Sequence, residues 1–95
     1  MDIDRSRMYH LFEESIYWEL RTGKDDLDYW TAQEARGKIS EDAKFTDLSS
    51  AEGFQERVLR KVVDDLTRQG LVEPYYIAEK ADTVGGAIDK LLKKA

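Results

Sequence analysis

Apolar residues return every third or fourth position through most of the chain, and no stretch sustains a two-residue alternation. That period belongs to amphipathic helices. From Asp4 to Arg21, Met8, Phe12 and Ile16 are spaced by four on one face, with Tyr9 and Leu20 beside them and Leu11 and Trp18 on a flank. Asp4 suits the N-cap, and Arg21 followed by Gly23 suits the C-terminus. A second helix is predicted from Asp25 or Asp26 to about Arg36, with carboxylates at its positive end, Leu27, Trp30 and Ala35 on one side, and Gly37 after it. The short connection folds the two into an antiparallel or steeply crossed hairpin in which Trp18 and Trp30 could meet.

The pattern weakens from Lys38 to Gly53. Ile39, Phe45 and Leu48 read as anchors that pin this segment to the core, and Ser40, Thr46, Ser49 and Ser50 as capping residues. Whether it is an ordered loop or holds a further short helix is left open by the pattern. The strongest periodicity follows. Phe54, Val58, Val62 and Leu66 step by four with Leu59 and Val63 alongside, and Arg57, Arg60, Lys61, Asp64, Asp65 and Arg68 fill the polar positions. Gly70 closes this long helix, and Pro74 prevents its early resumption. Tyr75 to Lys80 suits a short turn of helix, although Val72 to Ile77 is the one stretch that could be extended. Asp82 or Thr83 caps a last helix carrying Val84, Ala87, Ile88, Leu91 and Leu92.

The expected fold is therefore all-α, a single small bundle of four to five helices over residues 1–95. Residues 1–37 form the helical hairpin, 38–53 the anchored loop, and 54–95 the long helix and the C-terminal helix. A chain of 95 residues supports one modest core and leaves little room for a deep cleft.

Charge narrows the possible partners. Twenty acidic against fifteen basic side chains give a net charge of −5. Residues 1–48 hold seven basic and twelve acidic side chains, and residues 49–95 hold eight of each, so the whole surplus lies in the first half. Nucleic-acid binding depends on Lys and Arg displacing condensed counterions, which argues against a polyanion partner. The chain has no cysteine, which removes disulfides, thiolate metal sites and thiol nucleophiles. No apolar run approaches a membrane span, and the first residues, Met1 to Arg5, contain no signal core; a cytoplasmic location away from the membrane is the expectation.

The parts of a catalytic centre are missing. His10 has Glu14 one turn later, half of a helical metal site, but there is no second histidine to complete it. Asp25, Asp26 and Asp28 lack the glycine turn and distal glutamate of a calcium loop. Glu13-Glu14 and Asp64-Asp65 are sequence neighbours and diverge on a helix. Gly85-Gly86 has neither the further glycine nor the lysine of a phosphate loop. No catalytic residue, cofactor or metal site is expected.

Two segments resemble known families. Ile39 to Leu48 (Ile-Ser-Glu-Asp-Ala-Lys-Phe-Thr-Asp-Leu), followed by the long helix and by Ala78 to Ile88 with its Thr83-Val84-Gly85, resembles an acyl carrier protein. That resemblance implies a carrier-like helical bundle. The family's phosphopantetheine-bearing serine falls at Ala51-Glu52-Gly53-Phe54, where there is no hydroxyl, so the implied protein is a degenerate carrier without its prosthetic group. Tyr17-Trp18-Glu19, Gly23, Asp28, Trp30 and Ala32-Gln33-Glu34 are similar, in order, to a small bacterial domain of unknown function. The long helix with Arg57, Arg60, Lys61 and Arg68, ending in Leu66-Thr67-Arg68-Gln69-Gly70-Leu71-Val72, is also how many winged-helix domains leave their third helix. This gives a second alternative, a small helix-turn-helix regulator. Such a domain needs a β-hairpin next, where this chain has Pro74 and a helical pattern.

The leading expectation is a non-catalytic protein–protein interaction or adaptor module, meeting a protein partner or a second copy of itself. Its support is surplus aromatic surface. Tyr17 points away from Met8 and Phe12, Trp18 lies at the edge of the stripe, and Tyr75 and Tyr76 follow Pro74. Tyr and Trp offer large contact area and one polar group at small entropic cost. Tyr17, Trp18, Tyr75 and Tyr76 are the candidate partner-binding residues.

Overall fold

A computed structural model describes residues 3–22 and 39–93, apart from the side chains of Arg21 and Thr22. The predicted helix at 25–36, its glycine boundaries, the Asp25-Asp26-Asp28 cluster and the meeting of Trp18 with Trp30 lie outside the described residues. Within them the protein is an all-α bundle of four helices.

Helix α1 spans Arg5–Thr22. The Arg7 backbone N–H donates to Asp4 Oδ1 at 2.8 Å, so Asp4 satisfies one of the donors that a helix start leaves open. Met8, Phe12 and Ile16 are fully buried and Ile3 and Leu20 nearly so, which is the face drawn by the spacing. Ser15 is also fully buried. Its hydroxyl donates to the Val58 carbonyl at 2.9 Å, so the buried polar group has a partner.

Residues 39–53 are anchored by Ile39, Phe45 and Leu48, all buried, and contain one helical turn, α2, Phe45–Leu48. The segment is tied to the start of the last helix. Lys44 and Thr83 form an isolated antiparallel bridge, with Phe45 N–H donating to Asp82 O and Val84 N–H to Ala43 O, both at 3.1 Å. Gly85 N–H adds a bond to Glu41 O at 2.8 Å.

Helix α3, Phe54–Arg68, begins after Gly53 at φ 76°. Phe54, Val58, Leu59, Val62, Val63 and Leu66 are buried. Its far end is a Schellman turn: Leu71 N–H donates to Leu66 O at 2.9 Å, Gly70 N–H to Thr67 O at 3.0 Å, and Gly70 sits at φ 74°, where a residue without Cβ is favoured. The last helix, α4, spans Val84–Lys93. Thr83 is its cap, its Oγ1 accepting from Gly86 N–H at 3.0 Å. Helix α1 packs across both α3 and α4.

The segment after Pro74 departs from the expected helical turn. Tyr76 N–H donates to Glu73 O at 3.3 Å, closing a turn with Pro74 second and Tyr75, at φ 67°, third. That is a type II arrangement, which leaves the chain extended rather than helical. Residues 76–80 then run without helical bonds, Tyr76 and Ala78 half-buried and Ile77 and Glu79 exposed. The Gln55 side chain receives the strap at its far end, donating to Ala81 O at 2.8 Å and accepting from Ala81 N–H at 3.0 Å.

The chain ends are joined by Arg5. Its Nε donates to Glu41 Oε1 at 2.8 Å and its Nη1 to Asp89 Oδ1 at 2.5 Å, while Nη2 contacts Glu41 Oε1 and the Gly85 carbonyl. The two carboxylates hold the guanidinium proton well above its ordinary range.

Candidate functional site

The strap at residues 74–80 does not lie flat on α3. Between them runs a groove of about 810 Å³, within the range of small ligand and peptide sites. Its floor is Leu59 and Val63, the last apolar positions on the outer edge of the α3 core face, and its far wall is Pro74 to Ala78. The near wall is the exposed side of α3, with Glu56, Arg60, Asp64 and Thr67. One end is closed by Lys80, whose Nζ lies 2.7 Å from Glu56 Oε1. This hydrogen bond to Lys80 holds the Glu56 carboxyl below the usual carboxylate range.

Two of the four candidate residues meet here. Tyr75 is 97% exposed and Ile77 86%, and both border the groove. Tyr76 is half-buried, packs against the core and lines the same groove. Burial pushes its phenol above its ordinary value, with Glu79 and Glu73 adding to the effect.

Trp18 and Tyr17 are elsewhere. Trp18 is 49% exposed, and Lys61 Nζ sits 5.2 Å from its ring centroid, within cation–π range. Lys61 is two positions from both Leu59 and Val63, which on a helix is nearly the opposite face. Trp18 and the Tyr75–Tyr76 pair therefore lie on opposite flanks of α3. Tyr17 corrects the expectation that it stays off the core: it is partly buried and packs against the core cluster, because the flank of α1 is covered as well as its central stripe.

Ile77 was not singled out by the sequence pattern. A helical turn gives it no special direction, whereas in an extended strap it must point opposite to Tyr76. The other polar features are local. His10 pairs with Glu13, Nδ1 to Oε1 at 3.7 Å, rather than with Glu14. Ser49 Oγ accepts from Ala51 N–H at 3.1 Å, so one of the two serines before Ala51–Phe54 is used in a turn. Gly85 is explained by packing: a Cβ there would lie 2.9 Å from the Glu41 carbonyl oxygen. Among the described residues no three His, Cys, Asp or Glu side chains converge on a metal position, and no helix is long and apolar enough to cross a membrane.

The site combines an apolar floor, two protruding side chains and a charged rim. Comparison with families of known proteins, with curated proteins and with solved structures finds no match to this chain.

Proposed function

We propose that the protein is a non-catalytic interaction module that receives a protein partner in the groove between α3 and the 74–80 strap. The observation carrying this reading is Tyr75 and Ile77. Both stand almost fully in solvent at the lip of an apolar groove, and Tyr75 does so at φ 67°. A non-glycine residue in the left-handed region costs about 1–2 kcal/mol, and a side chain in solvent returns nothing to the fold. Covering Ile77 alone is worth roughly 1.5–3 kcal/mol, which a partner supplies and the free protein does not.

The test is a photo-crosslinking amino acid placed at position 77 in the source cells, with a control at Ser6, which is exposed on α1. A discrete protein adduct at 77, absent at Ser6 and lost with Tyr75→Ser, is the expected result. Equal labelling at both positions, or none, removes the reading.

A second reading, nucleic-acid binding, gains from one observation: α2 and α3 are joined by a short turn and the chain then returns, extended, to the Lys44–Thr83 bridge. Its charges count against it. Arg57 is held by Glu19 at 3.0 Å and Arg68 by Asp65 at 3.3 Å, leaving few cations to neutralise phosphates. Retardation of duplex DNA that weakens steeply with salt would place this reading first; no retardation at low salt discards it.

A further inference from the structure

The exposed side of α3 carries Glu56, Arg60, Asp64 and Arg68 at four-residue spacing, all four exposed. The row reads minus, plus, minus, plus. Reversed end for end, it reads plus, minus, plus, minus. It is therefore complementary to itself under a two-fold rotation. Residues spaced by four form a ridge inclined to the helix axis, and two such ridges run parallel when helices cross at about −50°, the commonest packing class. With the two-fold at the height of Val62, Arg60 of one copy faces Asp64 of the other and Glu56 faces Arg68, each pair occurring twice.

The state of the single chain points the same way. Glu56 is held by Lys80 and Arg68 by Asp65, whereas the two central members, Arg60 and Asp64, have no ion pair among the described residues. They are the members nearest the axis. Residues 49–95, which contain this face, carry eight acidic and eight basic side chains, so two copies meeting here do not bring together the surplus negative charge of residues 1–48. The groove adjoins the row, and Tyr75 and Ile77 stand beside it.

We infer that the partner received by this face is a second copy of the chain, in a two-fold dimer built on α3. This rests on the groove being a protein-binding surface and specifies the occupant. From Glu56 to Arg68 the helix extends only about 18 Å, so the contact belongs to the small, reversible class of interfaces. The experiment is sedimentation equilibrium of the full chain from about 1 to 200 µM, on the wild type and on Arg60→Asp, Asp64→Arg and the double variant. The wild type is expected to move from 11.0 kDa toward twice that mass as concentration rises. Each single variant sets like charges against each other across the axis and weakens the dimer at least tenfold. The double variant reads minus, minus, plus, plus, which is again complementary to its own reverse, and restores the dimer to within about threefold.

All four residues are exposed, so thermal unfolding at 1 µM is expected to show each variant folded. A wild type that stays at the monomer mass throughout, or a double variant no tighter than the singles, overturns the dimer. A heterologous adduct at position 77 in an otherwise monomeric protein keeps the groove as a binding surface while overturning the second copy as its occupant. No adduct together with no dimer removes both.

Discussion

Gly85→Ala is the sharpest test of how the bundle is held together, because Gly86 beside it is an internal control. Both glycines lie in the first turn of α4, where alanine is the better helix former by at most about 1 kcal/mol. Propensity alone makes the two substitutions equally stabilising. A Cβ on Gly85 meets the Glu41 carbonyl oxygen at 2.9 Å and the Glu41 Cβ at 3.3 Å. The first is backbone, and it accepts the 2.8 Å bond from Gly85 N–H itself. Relief requires α4 to move away from residues 41–45, loosening the Lys44–Thr83 bridge. Overpacking of about 1–3 kcal/mol and a weakened hydrogen bond of about 1 kcal/mol outweigh the propensity gain, for a net loss of about 1–3 kcal/mol. At Gly86 the nearest atoms are Ala81 Cβ and Thr83 Oγ1, both at 3.2 Å and both side chain. A shift of a few tenths of an ångström suffices, and Gly86→Ala is expected within about 1 kcal/mol of the wild type. Urea unfolding followed by far-UV circular dichroism gives both values. A Gly85→Ala protein as stable as the wild type would show that the close approach of residue 41 to α4 does not restrain the fold.

Three further outcomes follow from particular side chains. Leu66 is fully buried on α3, so Leu66→Ala is expected to cost about 3–5 kcal/mol and to lower the midpoint of thermal unfolding by more than about 10 °C; a fall of a few degrees would mean that the site collapses around the cavity. The Tyr9 hydroxyl donates to Ile39 O at 3.0 Å, and burial, with Glu13 and Glu41, raises its pKa above the ordinary 10.0. A raised acid favours its protonated form in the native state, so this contribution is intact below pH 10 and lost as pH rises through the native value; Tyr9→Phe should flatten the fall in stability above pH 10 seen in alkaline unfolding curves. Tyr75→Asn places a residue tolerant of positive φ where the side chain is almost wholly in solvent, and is expected to raise stability by up to about 1 kcal/mol while reducing cross-linking from position 77. Stability unchanged or lowered would argue that Tyr75 is held by contacts of its own.

The helices were legible wherever local signals and burial agreed. The four-residue steps of α1 and α3, the Asp4 and Thr83 caps and the Gly70 stop all correspond to observed bonds. Ile39, Phe45 and Leu48 could be read as anchors because isolated apolar residues in a polar stretch have little other use. The strap was half legible: Val72 to Ile77 stood out as the one stretch that could be extended, but its direction is set by the backbone angle of Tyr75, a conformation that residue type rarely adopts. The groove follows from the strap and joins positions 56–67 to 74–80, so no window of sequence contains it. Whether the candidate aromatics cluster is left open by the sequence; Tyr75 and Tyr76 both border the groove, whereas Trp18 lies by Lys61, nearly opposite the groove floor on the same helix. Ser15 gave no signal, a serine on an apolar stripe being silent about the neighbouring helix that accepts its hydrogen bond.

Helix α1 buries its apolar face mainly against α3 and α4, and Arg5 is fastened to Asp89, so this helix has both of these neighbours only when α4 has been made. Roughly 70 residues must be added in between, about 4–15 s at ordinary rates of translation. During that interval the apolar face with Met8, Phe12 and Ile16 lacks the cover that α4 gives it. The nascent protein thus presents a partly uncovered oily helix to the cell, and its yield on expression should depend on how well that helix is chaperoned until α4 has been made.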